Sequence, residues 1–124
     1  MDKKTKNHFE NADDQLRKAN EELYKPQEDI VSFLVCKNTL QAIENYLKGY
    51  LTKRGYETKN EEPLDMLLER CGLLDKRFKH IDLSVIDCSS DHKNHTFCED
   101  SNKVNSCFEK ADQLDNLLRS MGII

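Results

Sequence analysis

The chain contains no tryptophan, only two prolines and only four glycines among its 124 residues, so little in it interrupts a helix. It also lacks a long apolar run. No stretch approaches the roughly 20 residues that a helix needs to cross a bilayer, and the mean hydropathy is −0.79. The lysines of "MDKKTKNHFENADD" have no apolar core behind them, so no secretory leader is expected. The glycine-rich phosphate loop, the GxSxG turn and the HExxH helix are absent too, and with them the readings that rest on those motifs. Positive charge does not dominate: 19 Lys and Arg stand against 23 Asp and Glu, a net −4. That balance argues against nonspecific affinity for a phosphate backbone but leaves room for a local basic cleft. The five cysteines are odd in number and scattered. They predict free thiols in a reducing cytoplasm, with Cys36, Cys71 and Cys107 acting as small buried hydrophobes.

What is present points to helices. Charged residues make up 34% and apolar residues 37%, and the pattern predicts an all-α, up-and-down bundle of four to five helices in one domain spanning 1–124. Phe9, Ala12, Leu16, Ala19 and Leu23 recur at spacings of three and four. A second helix is expected from Pro26, in the first turn where its missing N–H costs nothing, to Gly55. Phe33, Cys36, Leu40, Ile43, Leu47 and Tyr50 form its stripe, widened by Ile30, Val31, Leu34 and Val35. Leu64, Leu67, Leu68 and Cys71 mark a compact third helix that Gly72 is expected to cap. Phe78, Ile81 and Val85 face inward on a short fourth piece. Thr96 with Glu99 reads as a capping box, which starts the last helix near Phe97; Val104, Cys107, Ala111, Leu114, Leu117 and Met121 form its stripe, and Gly122 closes it.

The densest candidate chemistry is "DCSSDHKNHTFC", residues 87–98. Cys88, His92, His95 and Cys98 are close enough in sequence to hold one zinc ion, which takes four N or S ligands in a tetrahedron. Structural zinc sites usually draw paired ligands from two segments, however, and no second pair stands elsewhere. A polar loop is therefore the expected reading, without metal or other cofactor, and zinc the minority one. Cys98 beside His95 at a helix start would suit a nucleophilic thiol, but any helix start beside a His meets that condition, so an inert thiol is the expected reading. The paired carboxylates Glu21–Glu22, Glu28–Asp29 and Glu61–Glu62 read as helix-end partners. "KRFKH", residues 76–80, reads as a solvated short helix in preference to a phosphate patch.

The stretch "VSFLVCKNTLQAIENYLKGYLTKRGYETKNEEPLDMLLERCGLLDKRF" resembles the HEPN family, small helical domains associated with nucleotide binding. An apolar helix leads into "QAIENYLKGYLTKRGY", then a brief loop, the "LDMLLERCG" helix, a polar stretch and a long last helix; the likeness runs over roughly residues 8 to 121. It implies a four- or five-helix bundle that forms a homodimer, a bacterial origin, a small nucleotidyltransferase as partner, and a toxin–antitoxin or defence setting. Catalytic members carry an Arg four to six residues ahead of a His near the start of the last helix. Here the arginines are Arg17, Arg54, Arg70, Arg77 and Arg119 and the histidines His8, His80, His92 and His95, and no pair has that spacing. The resemblance thus implies a non-catalytic domain binding a nucleotide, RNA or partner protein, with His92, Lys93 and His95 as contacts. One alternative is a divergent metal-independent ribonuclease using His92 or His95 with a lysine; another is a structural module paired with the nucleotidyltransferase. No membrane association is expected.

Overall fold

The computed structural model describes residues 3–26, 28, 30, 32–59, 61–81 and 101–124. Those residues form four α-helices and a 3-10 turn, with no strand among them. Helix α1 spans Lys3–Leu23, and its predicted stripe is its inner face: Phe9, Ala12, Leu16 and Ala19 are buried. It ends ahead of Pro26, as expected where a proline disfavours helical geometry at the residue before it.

Helix α2, Ser32–Lys53, is the hub. It starts six residues later than the proline suggested. Pro26 belongs to the connection, where its fixed φ is as acceptable as in a first helical turn. The chain direction follows from the contacts. Thr5 Oγ1 donates to Thr52 Oγ1 at 3.0 Å and Tyr46 reaches Asp13, so α1 and α2 are antiparallel. The last helix, α4 (Ser101–Ser120), runs parallel to α2: Phe108 packs by Val35 and Cys36, and Lys53 Nζ donates to the Ile123 carbonyl at 3.3 Å. This is the order of an up-and-down bundle. Because α2 is covered on more than one side, Ala42, Ile43, Tyr46, Leu47, Tyr50 and Leu51 are all buried. At its start the expectation fails, for Phe33 and Leu34 are 39% and 41% exposed.

Helix α3 spans Leu64–Leu74, with Leu64, Leu67 and Cys71 buried. Gly72 does not cap it. The residue lies inside the helix, buried, and a Cβ there would stand 3.3 Å from Lys79 Cγ. Its smallness admits the Lys79 stem. The stop is Asp75, whose extended backbone ends α3 and whose carboxylate accepts the Arg77 N–H at 2.9 Å. That contact caps the 3-10 turn Lys76–His80, which carries Phe78 into the core, followed by Ile81. In α4 the buried face is Cys107, Ala111, Leu114 and Leu118, with Leu117 half-buried beside it. Gly122, at φ 74, closes α4 as expected, and Ile123 N–H donates to the Leu118 carbonyl at 2.9 Å. The expectations for Val31, Val85, Val104 and the capping box at Thr96 and Glu99 lie outside the residues, or the side chains, that are described.

One expectation from composition is corrected. Cys36 is buried as predicted but is disulfide-bonded, not a free thiol. Cys71 and Cys107 are buried thiols apart from that bond. Neither of them is its partner. Among the described residues, no helix is long and apolar enough to cross a membrane.

Candidate functional site

The residues Cys88, His92, Lys93, His95 and Cys98, named above for metal or ligand binding, all lie outside the described residues. Among the described residues no group of three or more His, Cys, Asp or Glu side chains is arranged to hold a metal ion. The two described histidines sit apart in the fold. His8, on α1, meets Asn45 Oδ1 at 3.0 Å through Nδ1. An amide oxygen only accepts, so Nδ1 donates, and Nε2 is buried without a hydrogen-bond partner. His80 is exposed at the end of the 3-10 turn.

The structure instead assembles a polar constellation where α1, α2 and α4 meet. Tyr46 is fully buried, and its position is set by the apolar face of α2 that it shares with Ile43, Leu47 and Tyr50. The hydroxyl donates to Asp13 Oδ1 at 2.8 Å and lies 3.3 Å from Asp115 Oδ1. One proton serves two carboxylates, so the shorter contact dominates. The remaining charge is met by Arg119, whose Nε donates to Asp115 at 2.9 Å and whose terminal nitrogen donates to Asp13 at 3.2 Å. Asp115 and Arg119 are one helical turn apart on α4; Asp13 comes from the other side of the fold.

Electrostatics hold Tyr46 and Arg119 in their protonated states. Burial, then the hydrogen bond to Asp13, then the two nearby carboxylates push the Tyr46 pKa far above its ordinary 10.0. The phenol stays protonated and acts as a donor only. Burial works against the Arg119 charge, but Asp115 and Asp13 outweigh it and raise its pKa. Each acid already accepts from Arg119, and neither stands bare as a general base.

Above this group opens a cleft of about 490 Å³, walled by Phe108 and Leu16 and rimmed by Arg17, Asn20 and Asp112. Arg17 is itself held by Asp14 and by Glu21, the latter at 3.5 Å. The cleft offers donors and acceptors of both signs around a rigid floor, which suits recognition of a polar ligand. Asp13 and Tyr46 carried no signal of this role in the sequence. The Asp115–Arg119 spacing of four was a visible ion-pair pattern, but nothing local joined it to the other two.

The remaining thiol chemistry is quiet. Cys71 Sγ donates to the Leu47 carbonyl at 3.7 Å, and burial pushes its pKa from 9.0 up to about 12. A thiol so held is a poor nucleophile at neutral pH. In comparisons with known proteins, no family, curated protein or solved structure matches the chain.

Proposed function

We propose that the chain is a non-catalytic HEPN-like module that works as a homodimer. In this reading it holds a nucleotide, an RNA or a partner protein, in a toxin–antitoxin or defence setting beside a small nucleotidyltransferase. The observation that supports binding over catalysis is the closed Tyr46–Asp13–Asp115–Arg119 group beneath the α1/α4 cleft. Its acids, phenol and guanidinium satisfy one another, so the floor is rigid and offers no proton-transfer group. The cleft has ligand-binding dimensions, within the range of about 300–1,000 Å³ typical of small-molecule sites. The all-helical order, with the last helix parallel to the second, agrees with the bundle that the family resemblance implies. His92, Lys93 and His95, ahead of α4 in sequence, remain this reading's proposed contacts toward the start of the last helix.

A cytoplasmic location belongs to the same reading. The Cys36 disulfide presses against it, because such bonds are rare where glutathione keeps thiols reduced.

The test combines light scattering with RNA incubation. We expect a dimer at micromolar concentration and RNA left intact in the absence of metal. A monomer throughout that range overturns the homodimer. RNA cleaved by the wild type but not by His95→Ala or His92→Ala would put the ribonuclease alternative in its place.

A further inference from the structure

The outer face of α3 carries an apolar side chain that the fold leaves uncovered. Leu64, Leu67 and Cys71 are the buried side of this helix, and at about 100° per residue Leu73 falls opposite them. It is 77% exposed, the most of any described large aliphatic side chain. It lines neither the α1/α4 cleft nor the cleft of about 530 Å³ around Glu62 and Arg70. Leu73 therefore projects from the surface and does not line a groove.

Positive charge gathers beside it. A 3-10 turn repeats every three residues, so Phe78 and Ile81 share the buried side of the Lys76–His80 turn. Lys76 aligns with Lys79, and Arg77 with His80, on sides that are exposed. Phe78 fixes the turn, its ring edge-on to Tyr50 with centroids 4.6 Å apart at 64°. The Lys79 stem runs over Gly72, the neighbour of Leu73, where a Cβ would stand 3.3 Å from Lys79 Cγ. Arg54, just past α2, holds its guanidinium 6.0 Å from the centre of the Tyr50 ring. Arg54, Asp75 and Arg77 are all charged neighbours of Tyr50, so the ends of α2 and α3 meet there. Asp75, the acid within this group, is committed to the Arg77 fork at 3.1 and 2.8 Å. Glu69, one turn ahead of Leu73, marks the edge of the basic region. Four fixed cations thus stand against one committed acid, on a chain whose net charge is −4.

An aromatic completes the surface. Gly55, at φ 88, turns the chain, and Tyr56 N–H donates back to the Leu51 carbonyl at 2.9 Å. This closure pins the Tyr56 backbone and leaves the residue 47% exposed. Charge complementarity calls for an anionic partner, and Leu73 selects its kind. A polynucleotide matches the cations but gains nothing from a projecting aliphatic group. A lipid surface takes up both, with cations at the headgroups, an aliphatic side chain below them and tyrosine at the boundary. We propose that this end of the bundle docks on an anionic lipid surface through Leu73 and Tyr56, with Arg54, Lys76, Arg77 and Lys79 on the headgroups. The expectation of no membrane association rests on the lack of a spanning run, which bears on crossing a bilayer and not on lying against one. The surface shares no residue with the α1/α4 cleft, so it stands or falls separately from the function proposed above.

The test is flotation of the full chain with phosphatidylcholine vesicles, with and without roughly a third phosphatidylserine, at about 100 mM salt. Binding should require phosphatidylserine. Lys76→Gln with Lys79→Gln should weaken it about 25-fold, near fivefold for each cation, and Leu73→Gln at least about tenfold. Lys18→Gln with Lys25→Gln removes the same charge from the other end of the bundle. At that distance it should change binding less than about twofold. Because the chain has no tryptophan, Leu73→Trp supplies a single probe whose emission should shift to the blue with phosphatidylserine vesicles. Tyr24→Trp should not shift, since α1 starts beside the end of α2 and Tyr24 lies past its far end. No binding, equal binding to phosphatidylcholine alone, or an equal loss from the Lys18 and Lys25 pair overturns the proposal. So does a blue shift at position 24 with none at 73, or capture of a labelled oligouridylate with no binding to the vesicles.

Discussion

Gly49 lies directly under the ring of Phe9. A Cβ at position 49 would stand 2.5 Å from Phe9 Cε1 and 2.8 Å from Cδ1, closer than carbon atoms approach. The absent side chain lets α1 settle onto α2, with Thr5 and Thr52 hydrogen-bonded nearby. Gly49→Ala should therefore destabilise the fold even though alanine is the better helix former. Overpacking costs about 1–3 kcal/mol against a propensity gain of about 1, so the net loss expected is up to about 2 kcal/mol. Urea denaturation measures it. A variant as stable as the wild type would mean that the Phe9 ring moves aside freely.

Tyr46→Phe keeps the packing of the buried ring and removes the donor shared by Asp13 and Asp115. The expected cost is about 1 kcal/mol, because two part-buried acceptors lose a donor. Arg119 is half exposed, so its ion pairs are screened and Arg119→Ala should cost about 1 kcal/mol or less. Since the two residues serve the same carboxylates, the double variant should depart from additivity by at least about 0.5 kcal/mol. Strict additivity in a double-mutant cycle would show that the four groups do not act together.

Alkaline pH should unfold the protein through groups held protonated in the fold. The Cys71 pKa is raised from 9.0 to about 12, and that of Tyr46 is raised above 10.0. In the unfolded chain these groups ionise first. Stability is therefore fully present below about pH 9 and declines as pH rises towards 12. Denaturation midpoints compared at neutral pH and at about pH 10.5 should show the decline, and Cys71→Ala should make it shallower. An identical decline in that variant would remove Cys71 as a contributor.

The Cys36 disulfide makes a direct prediction about thiol count. Protein purified and denatured without reductant should show three reactive thiols of its five cysteines, and all five after reduction. Peptide mapping should join the Cys36 peptide to one carrying Cys88 or Cys98. Five thiols before reduction would restore the reading drawn from composition and favour a reducing compartment.

Much of the helical architecture was legible because helix signals are local. The three-and-four spacing of Phe9, Ala12, Leu16 and Ala19 names the buried face of α1, and Cys107, Ala111 and Leu114 do the same for α4. Gly55 and Gly122 were read as helix ends and adopt the positive φ that makes glycine suited to them. The misreadings concern residues with two roles. Pro26 suits a connection as well as a first turn, and a glycine near a helix end can cap it or, as Gly72 does, admit a neighbouring side chain. Phe33 and Leu34 look like core, and only the placement of neighbours could show how far they are exposed.

The sequence by itself determined that the chain forms amphipathic helices, roughly where they lie and which faces they bury. Those properties depend on residues within a turn or two of one another. Only the tertiary structure decided that Asp13, Tyr46 and Arg119, spread over 106 positions, share one hydrogen-bonded group. It likewise decided that Tyr50 keeps an orphaned hydroxyl beneath Arg54 and that the "KRFKH" turn stands beside it. Such meetings are set by how whole helices pack, through close approaches like Phe9 on Gly49, and no local spacing encodes them.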